Sequence, residues 1–232
     1  MSGHSHWSTI KHKKGATDAK RAQQISKLMN IVHIALREGA NPTTNPKLRG
    51  AIERARAGGV SQELIDRALT KREQTTIEEV LYEGYGPQGV ALLIKVVTDN
   101  RNRTVNELRH WIESHGGKLA EPGSVAWMFE ERGIIHISTS SFQEEWLIEL
   151  ADSGLLDVET ADDETILITD AKQLYSVRQA LEAKAVAIIS AELSFLPKVP
   201  AAISPETMAA LETFTEELLD QPDVDEVYVN LA

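Results

Sequence analysis

The stretch from Gly3 through Lys14 follows no apolar period, and regularity begins only near Asp18. From there Ile25, Leu28, Met29, Val32 and Leu36 recur on one helical face until Gly39 stops the turn. Asn45-Pro46 then offers a cap and a first helical position for a second helix, running to about Ala57 with Leu48, Ala51, Ile52 and Ala55 as its apolar stripe. After Gly58-Gly59, Ser61 caps a third helix, and Val60 and Ile65 are spaced as a hydrophobic staple.

Beyond Thr75 the period shortens. Val80–Tyr85 and Val90–Val97 read as strands around the loop Gly84-Tyr85-Gly86-Pro87-Gln88-Gly89. Thr104 and Glu107 form a capping box for a helix through Val105, Leu108, Trp111 and Ile112, ending at Gly116-Gly117, and Ser124–Phe129 reads as the next strand. From about Gly133 the pattern is β-α-β-β-α-β, the ferredoxin-like order. It consists of strand Ile134–Ile137, helix Phe142–Ala151 with Trp146, Leu147 and Leu150 inward, a hairpin Asp157–Glu159 with Thr165–Thr169, helix 171–184 and strand Ala187–Leu193. Pro197 and Pro200 mark the exit, and helix Pro205–Leu219 with strand Glu226–Leu231 has no partner of its own.

The economical assembly is α+β: a helical N-terminal domain followed by two ferredoxin-like α/β sandwich domains, the third inserted into the second. The expected boundaries are 1–75 for the basic arm and three-helix domain, 76–131 plus 203–232 for the discontinuous domain, and 132–202 for the insert.

Charge adds a second division. Residues 1–72 hold 14 Lys+Arg against 5 Asp+Glu, whereas residues 73–232 hold 10 against 30. A basic head on an acidic body suggests a polyanion held by one part only, because the body would repel phosphate wherever it approached. The arm carries Lys11, Lys13, Lys14 and the single large aromatic Trp7, and Lys20, Arg21 and Lys27 continue its charge onto the first helix. That combination suits phosphate contact and base stacking, and equally a solvated terminus. Lys47, Arg49, Arg54 and Arg56 flank the stripe of the second helix, as phosphate ligands or as stems snorkelling around a buried face. A helix-turn-helix reading is disfavoured, since the would-be recognition helix opens Gln62-Glu63-Leu64-Ile65-Asp66. A second basic cluster, Arg101 and Arg103, sits just before a predicted helix N-terminus, as an anion site or an ordinary solvated loop.

Catalytic chemistry finds little footing. There is no cysteine, no H-E-x-x-H, no G-x-S-x-G and no P-loop. The Gly84–Gly89 loop fits G-x-G-x-x-G, but a strand follows it where a nucleotide fold needs a helix. His4, His6 and His12 lie in a polar arm without a second shell, so no metal is expected, nor any cofactor or small-molecule substrate. The opening has no secretory leader pattern and no run reaches membrane-spanning length, which points to a cytoplasmic protein without a membrane partner.

The motifs resemble the YebC/PmpR family. They are Gly3-His4-Ser5-x-Trp7, Ile10-Lys11-His12-x-Lys14, Asp18-Ala19-Lys20-Arg21, Asn45-Pro46-x-Leu48-Arg49-x-Ala51-Ile52, Tyr82-Glu83-Gly84-Tyr85-Gly86-Pro87, Thr98–Thr104 and Gly123-Ser124-Val125-Ala126. The chain departs from the pattern at His6, where Lys is expected, and in a short connector after Arg72. The resemblance implies three domains with the third inserted into the second, and no enzyme activity. It also implies DNA-binding transcriptional regulation, or, as the alternative, translation. The mitochondrial relative is a translational activator of cytochrome c oxidase, and bacterial relatives relieve ribosomes stalled on proline-rich sequences. The partner is then DNA, or ribosomal RNA, tRNA and ribosomal proteins. The expected contacts are Trp7, Lys11, Lys13, Lys14, Lys20, Arg21, Lys27, Arg101 and Arg103.

Overall fold

The computed structural model describes residues 18–71, 76–161 and 163–231. In chain order its helices are α1 (Asp18–Ala35), α2 (Pro46–Ala57), α3 (Gln62–Thr70), α4 (Arg101–Ser114), α5 (Leu147–Asp152), α6 (Leu174–Ala183) and α7 (Pro205–Leu219). Its strands are β1 (Glu78–Tyr85), β2 (Ala91–Thr98), β3 (Lys118–Ala120), β4 (Phe129–Ser138), β5 (Leu155–Ala161), β6 (Glu164–Asp170), β7 (Ile188–Pro197) and β8 (Val224–Val229). They form two compact units, residues 130–196 and residues 18–129 together with 197–231. The fold is α+β: N-terminal helices, then two four-stranded antiparallel sheets with helices.

In the larger unit, Leu28 and Val32 of α1 bury against Leu48, Ala51, Ile52 and Ala55 of α2 and Ile65 and Ala68 of α3. Asn45 joins two helix ends. Its Oδ1 accepts the Leu48 N–H at 3.1 Å, while Nδ2 donates to the Ala35 and Gly39 carbonyls at 2.7 and 2.8 Å. One buried amide thus satisfies orphan groups at the end of α1 and the start of α2. Gly58 lets α1 close on the α2–α3 turn, since a Cβ there would lie 2.3 Å from Leu28 Cδ1.

The sheet of this unit is ordered β3-β1-β2-β8. β2 reads Ala-Leu-Leu-Ile-Lys-Val-Val-Thr and is buried at every position but Lys95, the signature of a strand covered on both faces. Leu92 and Leu211 of α7 both lie against Gly86, each 3.4 Å from where a Cβ there would stand. Lys95 lies on the other face, opposite Glu226 in the β2–β8 register. The smaller unit is a sheet ordered β5-β6-β4-β7. Its helix-covered face buries Ile135, Ile137, Leu167, Leu174, Val177 and Leu181, and Ile134, Ile166 and Ile168 cluster on the opposite face.

Four local expectations are corrected. The strand expected at Ser124–Phe129 is instead the short β3, and residues 126–128 form a 3₁₀ turn before β4. The reason is Glu83, whose carboxylate accepts the N–H groups of Gly123, Val125 and Ala126 at 2.6, 2.6 and 2.8 Å and so removes them from any ladder. Helix α4 is capped by Asn100, whose Oδ1 accepts the Arg103 N–H at 3.1 Å. Thr104 lies inside that helix, buried, with its hydroxyl on Thr98 and Asp223. The helix expected at Phe142–Ala151 is broken into a 3₁₀ turn over Glu144–Trp146 and the short α5, and Leu147 is 37% exposed rather than inward.

Candidate nucleic-acid interface

Trp7, Lys11, Lys13 and Lys14 lie outside the described residues. The described residues begin at α1, and they show how the cations that follow the arm in sequence are used.

One face of α1 is committed to the sheet. Lys20, Gln23 and Lys27 recur at helical spacing and all three reach the C-terminal end of α7. Lys20 Nζ lies 2.5 Å from Asp220 Oδ2, with both side chains about half exposed. Gln23 Nε2 donates to the Asp220 carbonyl at 2.9 Å, and Lys27 Nζ donates to the Leu219 and Val224 carbonyls at 2.7 and 2.9 Å. The Leu219 carbonyl is the last of α7, so a cation there closes the helix end and meets the negative pole of its dipole, while the Val224 carbonyl belongs to the start of β8. Burial pulls the Lys27 ammonium down to about 8, against the opposing attraction of Asp225, Asp220 and Asp223. Lys27 thus serves the chain's own carbonyls.

α2 docks on the same sheet through Arg54. Its guanidinium lies 2.8 Å from Asp225 Oδ1 and 2.8 Å from Glu226 Oε1. Lys95 adds weaker attraction, 3.7 Å from Asp225 and 3.9 Å from Glu226, while the Tyr228 hydroxyl donates to Glu226. The Asp225 side chain is only 4% exposed. Burial raises its carboxyl above the ordinary value, against the pull of Arg54 and Lys95. The basic head is therefore fixed to the acidic body by a desolvated charge network, whose breakage would be costly.

The second basic cluster is also occupied. Arg101 and Arg103 belong to the first turn of α4 rather than to a loop before it. Arg101 Nε lies 3.1 Å from Glu78, and Arg103 lies 3.0 Å from Asp99 and 2.9 Å from Asp223. The Asp223 hydrogen bond and charge raise the Arg103 guanidinium further above its usual value. On the head, Arg21, Arg56, Arg67 and Lys71 are exposed. Among the described residues, no group of three or more His, Asp or Glu is arranged to hold a metal ion, and no helix is long and apolar enough to cross a membrane.

Comparison with known proteins covers nearly the whole chain. The profile of the TACO1/YebC protein N-terminal domain matches residues 5–75, and that of the TACO1/YebC second and third domain matches residues 77–231. The chain belongs to the TACO1/YebC family. A relative from Desulfosudis oleivorans, named "Probable transcriptional regulatory protein", is 41% identical over 238 residues, covering 100% of this chain and 97% of that one. A relative of the same name from Thermotoga maritima is 42% identical over 237 residues, covering 99% and 93%. The crystal structure of a conserved hypothetical protein from Aquifex aeolicus superposes with a TM-score of 0.84 at 38% identity, covering 98% of this chain and 96% of that one.

The residues that build the platform left weak traces in the sequence. Arg54 was visible as a flanking cation, but its partners lie 171 and 172 positions away, beyond any local period. Glu83 lies on the strand face that also carries exposed Glu79 and Leu81, so nothing local marks its burial, and its partners lie 40 or more positions away.

Proposed function

We propose that this member of the TACO1/YebC family is a non-enzymatic, cytoplasmic regulator that grips nucleic acid with its basic head, with duplex DNA as the first target. The observation carrying the reading is the charge division, 14 Lys+Arg against 5 Asp+Glu in residues 1–72 and 10 against 30 thereafter. Such a field turns the head toward phosphate and keeps the body away from it. The relatives' name, "Probable transcriptional regulatory protein", agrees. Lys11, Lys13, Lys14 and Arg21 are the proposed phosphate contacts, with Trp7 stacking on bases. Lys20 joins them by exchanging its exposed pair with Asp220, which costs little. Lys27 does not, since its ammonium is held by two carbonyls. Nor does the proposal rely on Arg101 and Arg103, because phosphate there would compete with Glu78, Asp99 and Asp223.

A second reading, a ribosome-associated translation factor contacting ribosomal RNA or tRNA, draws on the same division. An acidic body complements basic ribosomal proteins better than it wraps a duplex. Immunoprecipitation of crosslinked DNA, run beside a ribosome sedimentation profile, separates the two. Enrichment of discrete promoter segments, lost when Lys11, Lys13 and Lys14 become Ala, supports transcriptional regulation. Co-sedimentation with ribosomes and no DNA enrichment moves the function to translation. Neither result, in cells expressing the protein, sinks the nucleic-acid reading.

A further inference from the structure

The cations facing the sheet are met by α7 and β8, whereas the arginines at the corner between α2 and α3 pair with no carboxylate among the described residues. Arg21 reaches this corner from α1. One of its guanidinium nitrogens stands 3.9 Å from where a Cβ on Gly59 would lie. Gly59 is exposed and left-handed, with φ at +81°, so no side chain screens the turn from a ligand. Arg56 comes to the same corner from the last turn of α2. Its Nε donates to Gln62 Oε1 at 3.0 Å, and Gln62 Nε2 donates in turn to Asp66 Oδ1 at 2.7 Å. Arg56 is therefore steered by a neutral amide. Among the described residues, no carboxylate pairs with either Arg21 or Arg56.

This geometry favours an anion. The Arg21 guanidinium stands beside a bare glycine turn, and the Arg56 guanidinium is held on Gln62, the first residue of the nine-residue α3 that follows that turn. Glu63 and Asp66, exposed on α3, repel phosphate along that helix and confine an incoming strand to the corner. Arg21 lies three residues beyond Asp18, where the basic arm enters α1.

We infer that Arg21, Arg56 and the Gly58-Gly59 turn form a phosphate site that carries the grip of the arm onto the folded head. The site takes the sugar-phosphate backbone of a nucleic acid and reads no base. It rests on the nucleic-acid reading above.

The test is fluorescence anisotropy of labelled duplex DNA and single-stranded RNA with the full chain, between about 50 and about 200 mM salt. The variants are Arg21→Ala, Arg56→Ala and the double. Lys47→Ala is the control, because Lys47 pairs with Glu38 at 2.5 Å at the other end of α2. Thermal melts establish that each variant is folded. Each Arg lost should flatten the log–log salt slope by about one, so that affinity falls about threefold less over that salt range. Lys47→Ala should leave the slope alone. A folded double variant with the wild-type slope and affinity overturns the site while leaving the role of the arm intact. A wild-type chain that binds neither probe overturns the nucleic-acid reading itself.

Discussion

Replacing Glu83 by Gln tests the reasoning behind the loop that displaced an expected strand. The wild-type carboxylate is 8% exposed and accepts three backbone N–H bonds, from Gly123, Val125 and Ala126. Burial alone would raise its pKa, but the N–H donors of residues 123–126 outweigh it and leave the group below the ordinary carboxyl value. An amide keeps one accepting oxygen and turns an NH₂ toward the remaining donors. Hydrogen bonds to a charged group contribute roughly 1.5–3 kcal/mol each, so losing one or two should cost about 2–4 kcal/mol. With a urea m-value of about 2 kcal/mol/M, the midpoint should fall by about 1–2 M without a change in m. The pH dependence carries a sign. A carboxyl depressed in the fold contributes its stability above the unfolded value near 4.5 and loses it as pH falls through the folded value. The gap between wild type and Glu83→Gln should therefore be full at pH 7 and should narrow in acid below 4.5. A Glu83→Gln stability within about 0.5 kcal/mol of wild type at pH 7 would refute the reasoning.

Two further outcomes follow from the charged contacts between head and sheet. Arg54→Ala removes the closest cation from buried Asp225 and Glu226, leaving the weaker attraction of Lys95, and should cost about 3–5 kcal/mol in thermal or urea unfolding. Hydrogen exchange in α1–α3 should rise with it, and unchanged exchange would show that Arg54 does not hold the head. Lys27 binds its proton more weakly in the fold, at about 8, than in the unfolded chain, at 10.5, so its contribution to stability rises with pH between those values. Wild type should gain about 2 kcal/mol relative to Lys27→Met between roughly pH 8 and pH 10, measured by urea denaturation. A parallel pH dependence in the two proteins would place the Lys27 ammonium in water.

The elements were readable where physics is local. Asn45-Pro46 and Ser61 announce helix starts by capping chemistry alone, and both helices begin there. The apolar run Ile134–Ile137 likewise reads as a strand, and it lies within β4. Expectations failed where a distant partner decided. Thr104 has a capping-box partner in Glu107, yet Asp223 draws its hydroxyl into the interior and Asn100 takes the cap. Ser124–Phe129 has the composition of a strand, but a carboxylate some 40 residues earlier claims its N–H groups. The candidate site divides in the same way. Lys27 and Arg21 are indistinguishable as cations in a basic run, and only the fold reveals that one caps α7 while the other stands beside Gly59.

The most direct measurement is ultraviolet crosslinking in cells expressing the protein, followed by mass spectrometry of nucleotide-bearing peptides with and without DNase and RNase. The account predicts adducts on peptides from residues 1–72, centred on the arm and the α2–α3 corner, with DNase sensitivity favouring transcription and RNase sensitivity favouring translation. Adducts confined to residues 73–232, or none on any peptide, would contradict it.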